Sequence, residues 1–303
     1  MDRELVLAIL ALSVGGPAVL AGGAVPAASF TRWLRHSVRA SGTNPGAKRR
    51  ARCAPTSAVE RDRWARVWLP LVPTAIVWSA LLGWALREPE HSEPVPHALL
   101  LAGLPFAVIW FRAGFRAVRS LCLISADFPA ATVGLLRPRV VISPRLVAAL
   151  DPSALAAARE HEDAHVRHRD PLRLWLAQLA ADLQWPRPAA HDRFLDWREA
   201  LELARDREVR DRGIDGADLA AAILQATRLT MPRSTGCAAA LAGEGRALKR
   251  RVARLLAPLP AGRPALDTSR GIRHALLVVL SASAVWGALC GEAAIRLLLR
   301  SVP

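Results

Sequence analysis

The chain has 303 residues, of which 52% are hydrophobic, and a formal net charge of +15. The apolar residues are gathered into long uncharged stretches, which excludes an ordinary soluble domain, and four cysteines without a paired-cysteine motif exclude a disulfide scaffold. The positive charge follows membrane topology rather than forming a nucleic-acid footprint, so direct nucleic-acid binding is not expected.

Uncharged stretches run over 5–28, 67–86, 94–111 and 275–291, lengths that bracket the roughly 20 residues needed to span a bilayer. Four membrane spans are expected, the fourth closely followed by Glu292 and Arg296. The first stretch reads as an anchor and not a cleaved signal, because its basic residues follow it. Residues 29–66 carry ten Lys or Arg against two acids, whereas the connector 87–93 carries one Arg against three acids. Positive charge stays inside, so 29–66 and 112–273 are expected in the cytoplasm, and both termini outside if the fourth stretch is a span and not a buried core helix. Trp68, Trp84 and Trp110 at span ends fit the headgroup layer. Pro17, Pro73 and Pro105 fall within spans, where they permit kinks.

Residues 40–60 read as a flexible basic loop. The segment 112–273 is long enough for a core of its own. Its first third predicts a small sheet or hairpin from Ser120–Ser125 and Val140–Ser143. Helices follow, opened by Asp151-Pro152 and running to His168, then by Asp170-Pro171 and running to about Trp185. A third covers about 192–212 and stops at Gly213, and two more cover about 216–229 and 238–257. Asp170 reads as a helix cap. Residues 1–111 thus form a three-span membrane region, 112–273 a cytoplasmic domain, and 274–303 a last span with a short tail.

On the first of these helices stands Glu160-His161-Glu162-Asp163-Ala164-His165, an HExxH pattern. Residues four apart share a helix face, so His161 and His165 can reach one ion while Glu162 polarises a water. Catalytic zinc takes a third protein ligand and keeps a fourth position open. Glu202, in Glu202-Leu203-Ala204-Arg205-Asp206, is the candidate, and Asp206 one turn on is suited to hold a ligand imidazole. His168 reads as a solvated helix-end residue. The chain contains no tyrosine to serve as a second electrophile; His191 is the candidate, with Arg187, Arg198 and Arg205 as rivals. The strand near Val140–Ser143 is suited to hold substrate by β-addition.

These residues resemble the BlaR/MecR-type membrane metallopeptidases and, more distantly, the CAAX-protease and HtpX-like group. The resemblance rests on Gly134-Leu135-Leu136-Arg137-Pro138 with the following Val140-Val141-Ile142, on 161–172, on Trp185 with Pro188, and on 202–209. It implies a mainly α membrane protein with an α+β zincin-like peptidase domain between spans three and four. It also implies one zinc ion per chain held by His161, His165 and Glu202, with Glu162 as general base. The implied partners are the lipid bilayer and a protein or peptide substrate, such as a BlaI/MecI-like transcriptional repressor, at the plasma membrane. Arg187 and Arg205 depart from the family pattern, and the sequence has no counterpart of an extracellular penicillin-binding sensor, so a β-lactam receptor is not expected. A membrane quality-control protease and a non-catalytic signalling scaffold are the alternative roles.

Overall fold

A computed structural model of the chain describes residues 3–24, 56–87, 96–122, 128–230, 238–258 and 269–301. Within them the molecule is mainly helical. The membrane part comprises α1 (Arg3–Ser13), α2 (Gly15–Ala24), α3 (Thr56–Trp68) leading through a 3₁₀ turn (Leu69–Leu71) into α4 (Val72–Arg87), and α5 (His97–Cys122). A second part follows with β1 (Ala130–Val133), β2 (Arg139–Ile142), α6 (Pro144–Ala149), α7 (Pro152–His168), α8 (Asp170–Leu183), α9 (Pro188–Asp211), α10 (Gly216–Thr230) and α11 (Ala238–Leu256). The chain then returns to the membrane part in α12 (Ser269–Ser301).

Among the described residues, three helical stretches are long and apolar enough to cross a membrane, 58–87, 97–121 and 276–298. Four spans were expected; the first expected span instead breaks at Val14 into α1 and α2, with a shorter apolar stretch over 6–19. Pro17 lies in the first turn of α2 and Pro73 in the first turn of α4, where a missing N–H costs little. Only Pro105 sits inside a helix. Val6, Leu10, Trp84, Ala85, Leu99 and Ile295 form the core of this part. Helices α4 and α12 cross closely because Gly83 and Gly287 carry no side chain: a Cβ on Gly83 would stand 1.9 Å from the Ala284 carbonyl, and one on Gly287 1.9 Å from that of Ala80. Glu292 is accommodated within α12 by Trp84, whose indole donates to it at 2.9 Å, and by its own pair with Arg296. Leu101, Phe111, Leu289 and Leu297 face outward.

Two expectations change at the membrane boundary. Residues 120–122 belong to α5 and not to a strand, while 123–127 lie outside the described residues. The helix continues past the apolar stretch because Arg112 and Arg116, one turn apart, both reach buried Asp182 of α8 at 3.7 and 3.3 Å, and Trp175 donates to the Ala117 carbonyl at 3.1 Å. The hairpin is instead made by β1 and β2, antiparallel with Thr132 opposite Val140. Residues 56–66, expected as loop, form most of α3, which packs on α9 through Trp64, Val67, Trp68, Phe194 and Trp197. Burying each such large side chain contributes about 1.5–3 kcal/mol, enough to turn a basic segment into an ordered helix.

In the second part, proline opens α6, α7, α8 and α9 at their first or second position. Helix α9 ends at Gly213 (φ 92°), with Gly213 N–H bonded to the Arg210 carbonyl and Ile214 N–H to that of Val209, the paired bonds a left-handed glycine allows. Alanines at 157 and 164 bring α7 close to Val209, Leu219 and Leu255, so α7, α9, α10 and α11 share one core.

Candidate metal centre

Helix α7 presents His161 and His165 one turn apart on its buried face, packed between the hairpin, α9 and α10. From α9, Glu202 points at the same spot. The His161 and His165 Nε2 atoms are 3.2 Å apart, and Glu202 oxygens lie 3.5 Å from the first and 3.8 Å from the second. One ligand atom from each residue fits within a 4.8 Å cluster. Bond lengths of about 2.0–2.2 Å around a tetrahedral zinc put ligand atoms about 3.3 Å from one another. Two imidazoles and a carboxylate at these separations therefore fit such an ion, with one position left open.

Each imidazole has a carboxylate behind it. Asp206, one turn after Glu202, places Oδ1 3.2 Å from His161 Nδ1, at ion-pair distance although the angle falls short of a formed hydrogen bond. Asp170 Oδ2 lies 2.9 Å from His165 Nδ1. Asp170 is thus not the helix cap expected from its Asp-Pro context; it is fully buried and also bonds Arg205 at 2.6 and 3.2 Å and Arg173 at 3.0 Å. The tight turn at Arg169, which adopts a left-handed conformation (φ 52°), swings the start of α8 back beneath His165.

Charge sets the protonation preferences. Burial lowers the pKa of His161, but contacts with Asp206 and Glu202 outweigh it against opposition from Arg251, and the imidazole is pushed up to about 9. Burial raises Asp170, yet His165 and Arg205 hold it down to about 2. Glu202 is likewise held well below the usual carboxylate range, burial being overcome by Arg251 and the two histidines. These acids are therefore ionised at neutral pH and ready to hold a cation.

Glu162, the adjacent acid of the motif, lies near Thr132 of β1: the Thr132 hydroxyl is 2.8 Å from Glu162 Oε2 and 3.0 Å from the Glu162 backbone carbonyl. The hydroxyl has one proton and serves one acceptor at a time. A residue of the edge hairpin thereby fixes the carboxylate beside the cluster.

Sequence reasoning missed Arg251. From α11 its guanidinium reaches Asp206 at 2.5 and 2.8 Å, Glu202 at 2.9 Å and His161 Nε2 at 3.1 Å. No local signal marks it, since Lys249-Arg250-Arg251 reads as a solvated basic run. His191 is not brought to the cluster: it is exposed in the first turn of α9 beside the Phe194 ring, eleven residues from Glu202, about 16 Å along the axis. Arg205 is engaged with Asp170 and Glu208, and exposed His168 pairs with Glu208 at 2.8 Å. Among the described residues Arg251 is the cation that touches the candidate ligands.

No curated protein and no solved structure matches the chain. Residues 122–255 match the family model described as BlaR1 peptidase M56, a segment that runs from the end of α5 to Leu255 and contains Thr132, His161, Glu162, His165, Asp170, Glu202, Asp206 and Arg251. Peptidases of that family are metallopeptidases, and over this segment the chain is similar to the BlaR/MecR-type family.

Proposed function

We propose that the protein is an integral membrane zinc metalloendopeptidase whose active site faces the cytoplasm and which cuts a cytoplasmic regulatory protein, a transcriptional repressor of the BlaI/MecI type being the best candidate. The observation that carries the reading is the convergence of His161, His165 and Glu202 on one point, with Glu162 next to His161 in the chain. A bound zinc ion supplies Lewis acidity, polarising the scissile carbonyl and acidifying water. The protein's own residues do the rest. His161, His165 and Glu202 would hold the ion, while Asp206 and Asp170 fix the two imidazoles in the orientation that ligation needs. Glu162 takes a proton from the attacking water and delivers it to the leaving amine, and Thr132 keeps its carboxylate in place between the two transfers. The open edge of the β1–β2 hairpin beside Glu162 is suited to receive an extended substrate backbone.

The basic character of 29–66 supports the cytoplasmic orientation. The substrate class rests on family resemblance, and its test is made in cells carrying either the native chain or Glu162→Gln. The repressor is followed by immunoblot and the proteome by mass spectrometry. Signal-dependent loss of repressor only with the native chain is expected. Stable repressor in both strains, with misfolded membrane proteins accumulating in the variant, would instead assign the peptidase to quality control.

A further inference from the structure

Glu60 is a buried carboxylate outside the metal centre. It lies on α3, the helix that leads through the Leu69–Leu71 turn into α4, and is only 5% exposed. An acid in that setting is costly unless paired and hydrogen-bonded. Its oxygen Oε1 accepts from the Trp197 indole at 3.0 Å and pairs with the Arg173 guanidinium. Arg173 in turn donates to Asp170 Oδ1 at 3.0 Å, and Asp170 Oδ2 faces His165 Nδ1 at 2.9 Å. The faces of Trp64 and Trp197 hold the Arg173 guanidinium at 5.1 and 5.6 Å, so the fork has little freedom to reorient. Three consecutive polar contacts therefore join a helix of the membrane part to a candidate metal ligand.

We propose that Glu60 is a positioning residue for His165, acting through Arg173 and Asp170, so that the placement of the helix leading into α4 sets the quality of the metal centre. Arg173 is shared between two carboxylates. With Glu60 neutralised, the guanidinium, still held between the two indoles, has Asp170 as its remaining carboxylate partner, and its undivided pull competes with Arg205 and His165 for the Asp170 oxygens and draws that carboxylate away from the imidazole. A displacement of α3 relative to α9 breaks the Glu60 contact in the same way. Partners behind metal ligands typically cost about 10–100-fold in metal affinity when removed.

The inference rests on the reading of His161, His165 and Glu202 as a metal site, and the experiment separates the two. Full-length protein in detergent micelles is titrated with zinc against a chromophoric chelator, and with cobalt while the visible d–d bands are recorded. Glu60→Gln, which keeps an acceptor for Trp197, should weaken zinc binding about tenfold and shift the cobalt bands, with its melting temperature little changed. Arg173→Gln should do the same, and serves alone if Glu60→Gln does not fold. The double variant should be no weaker than either single one, since both cut the same chain of contacts. Arg63→Gln removes the bond to the Asp196 carbonyl that also docks α3 on α9, and should bind zinc as the native protein does. Native affinity in Glu60→Gln, additive losses in the double variant, or an equal loss in Arg63→Gln would overturn the relay. Absence of stoichiometric zinc from the native protein would overturn the metal site itself.

Discussion

At the scale of single residues, the centre is defined by charge placed with little solvent. Arg251 is the most consequential of these charges, because its guanidinium lies on the atoms that a cation would take from Glu202 and His161. Guanidinium and metal ion are alternative partners for the same negative charge. Arg251→Met should therefore destabilise the metal-free protein, by about 3 kcal/mol as expected for one partner of a buried pair lost, and the zinc-loaded protein by much less. Thermal melts with and without zinc measure the difference, and equal losses in both states would refute it. Asp170→Asn should lower stability in both states, since it leaves buried Arg205 uncompensated. The two histidines and their glutamate were legible in the sequence because helical spacing alone sets the pair on one face. Arg251 and Thr132 were not, since each arrives from an element distant in the chain and neither sits in a local pattern. Asp170 was misread for a related reason: Asp before Pro is the ordinary signature of a helix start, and nothing nearby announces that the turn at Arg169 buries it against His165.

At the scale of elements, proline and glycine punctuation made the helices of the peptidase part readable to within a few residues. The short apolar run at 120–125 was read as a strand because a run of that length does not discriminate strand from helix. Its first residues continue α5, held by Arg112 and Arg116 on Asp182. The junction of α7 and α8 carries a test of its own. Arg169 is exposed and left-handed, a conformation that costs an L-residue about 1–2 kcal/mol and glycine almost nothing. Arg169→Gly should leave stability unchanged or raise it by up to about 1 kcal/mol, whereas Arg169→Val should lower it by at least that amount. Chemical denaturation measures both, and a marked loss in the glycine variant would show that the Arg169 side chain, not its backbone, shapes the turn.

At the scale of the whole molecule, the membrane part and the peptidase part are tied through α3, α5 and α8. Gln184 shows how: buried at the end of α8, it donates to the Val67 and Ala180 carbonyls and accepts from Arg193. Hydropathy made the three long apolar helices visible, but not the break at Val14, since an uncharged stretch carries no sign of where its helix divides. The crossing of α4 and α12 leaves no room for a side chain at Gly83 or Gly287, so Gly287→Leu should separate the pair and lower the yield of folded protein, measured by size-exclusion chromatography in detergent. The central claim, a metallopeptidase site built from His161, His165, Glu202 and Glu162, is tested most directly by elemental analysis of the purified full-length chain and three variants. The native protein and Glu162→Gln should each carry about one zinc per chain, the second without peptidase activity, while His161→Ala and Glu202→Ala should carry almost none. Full zinc retention in both ligand variants would contradict the account.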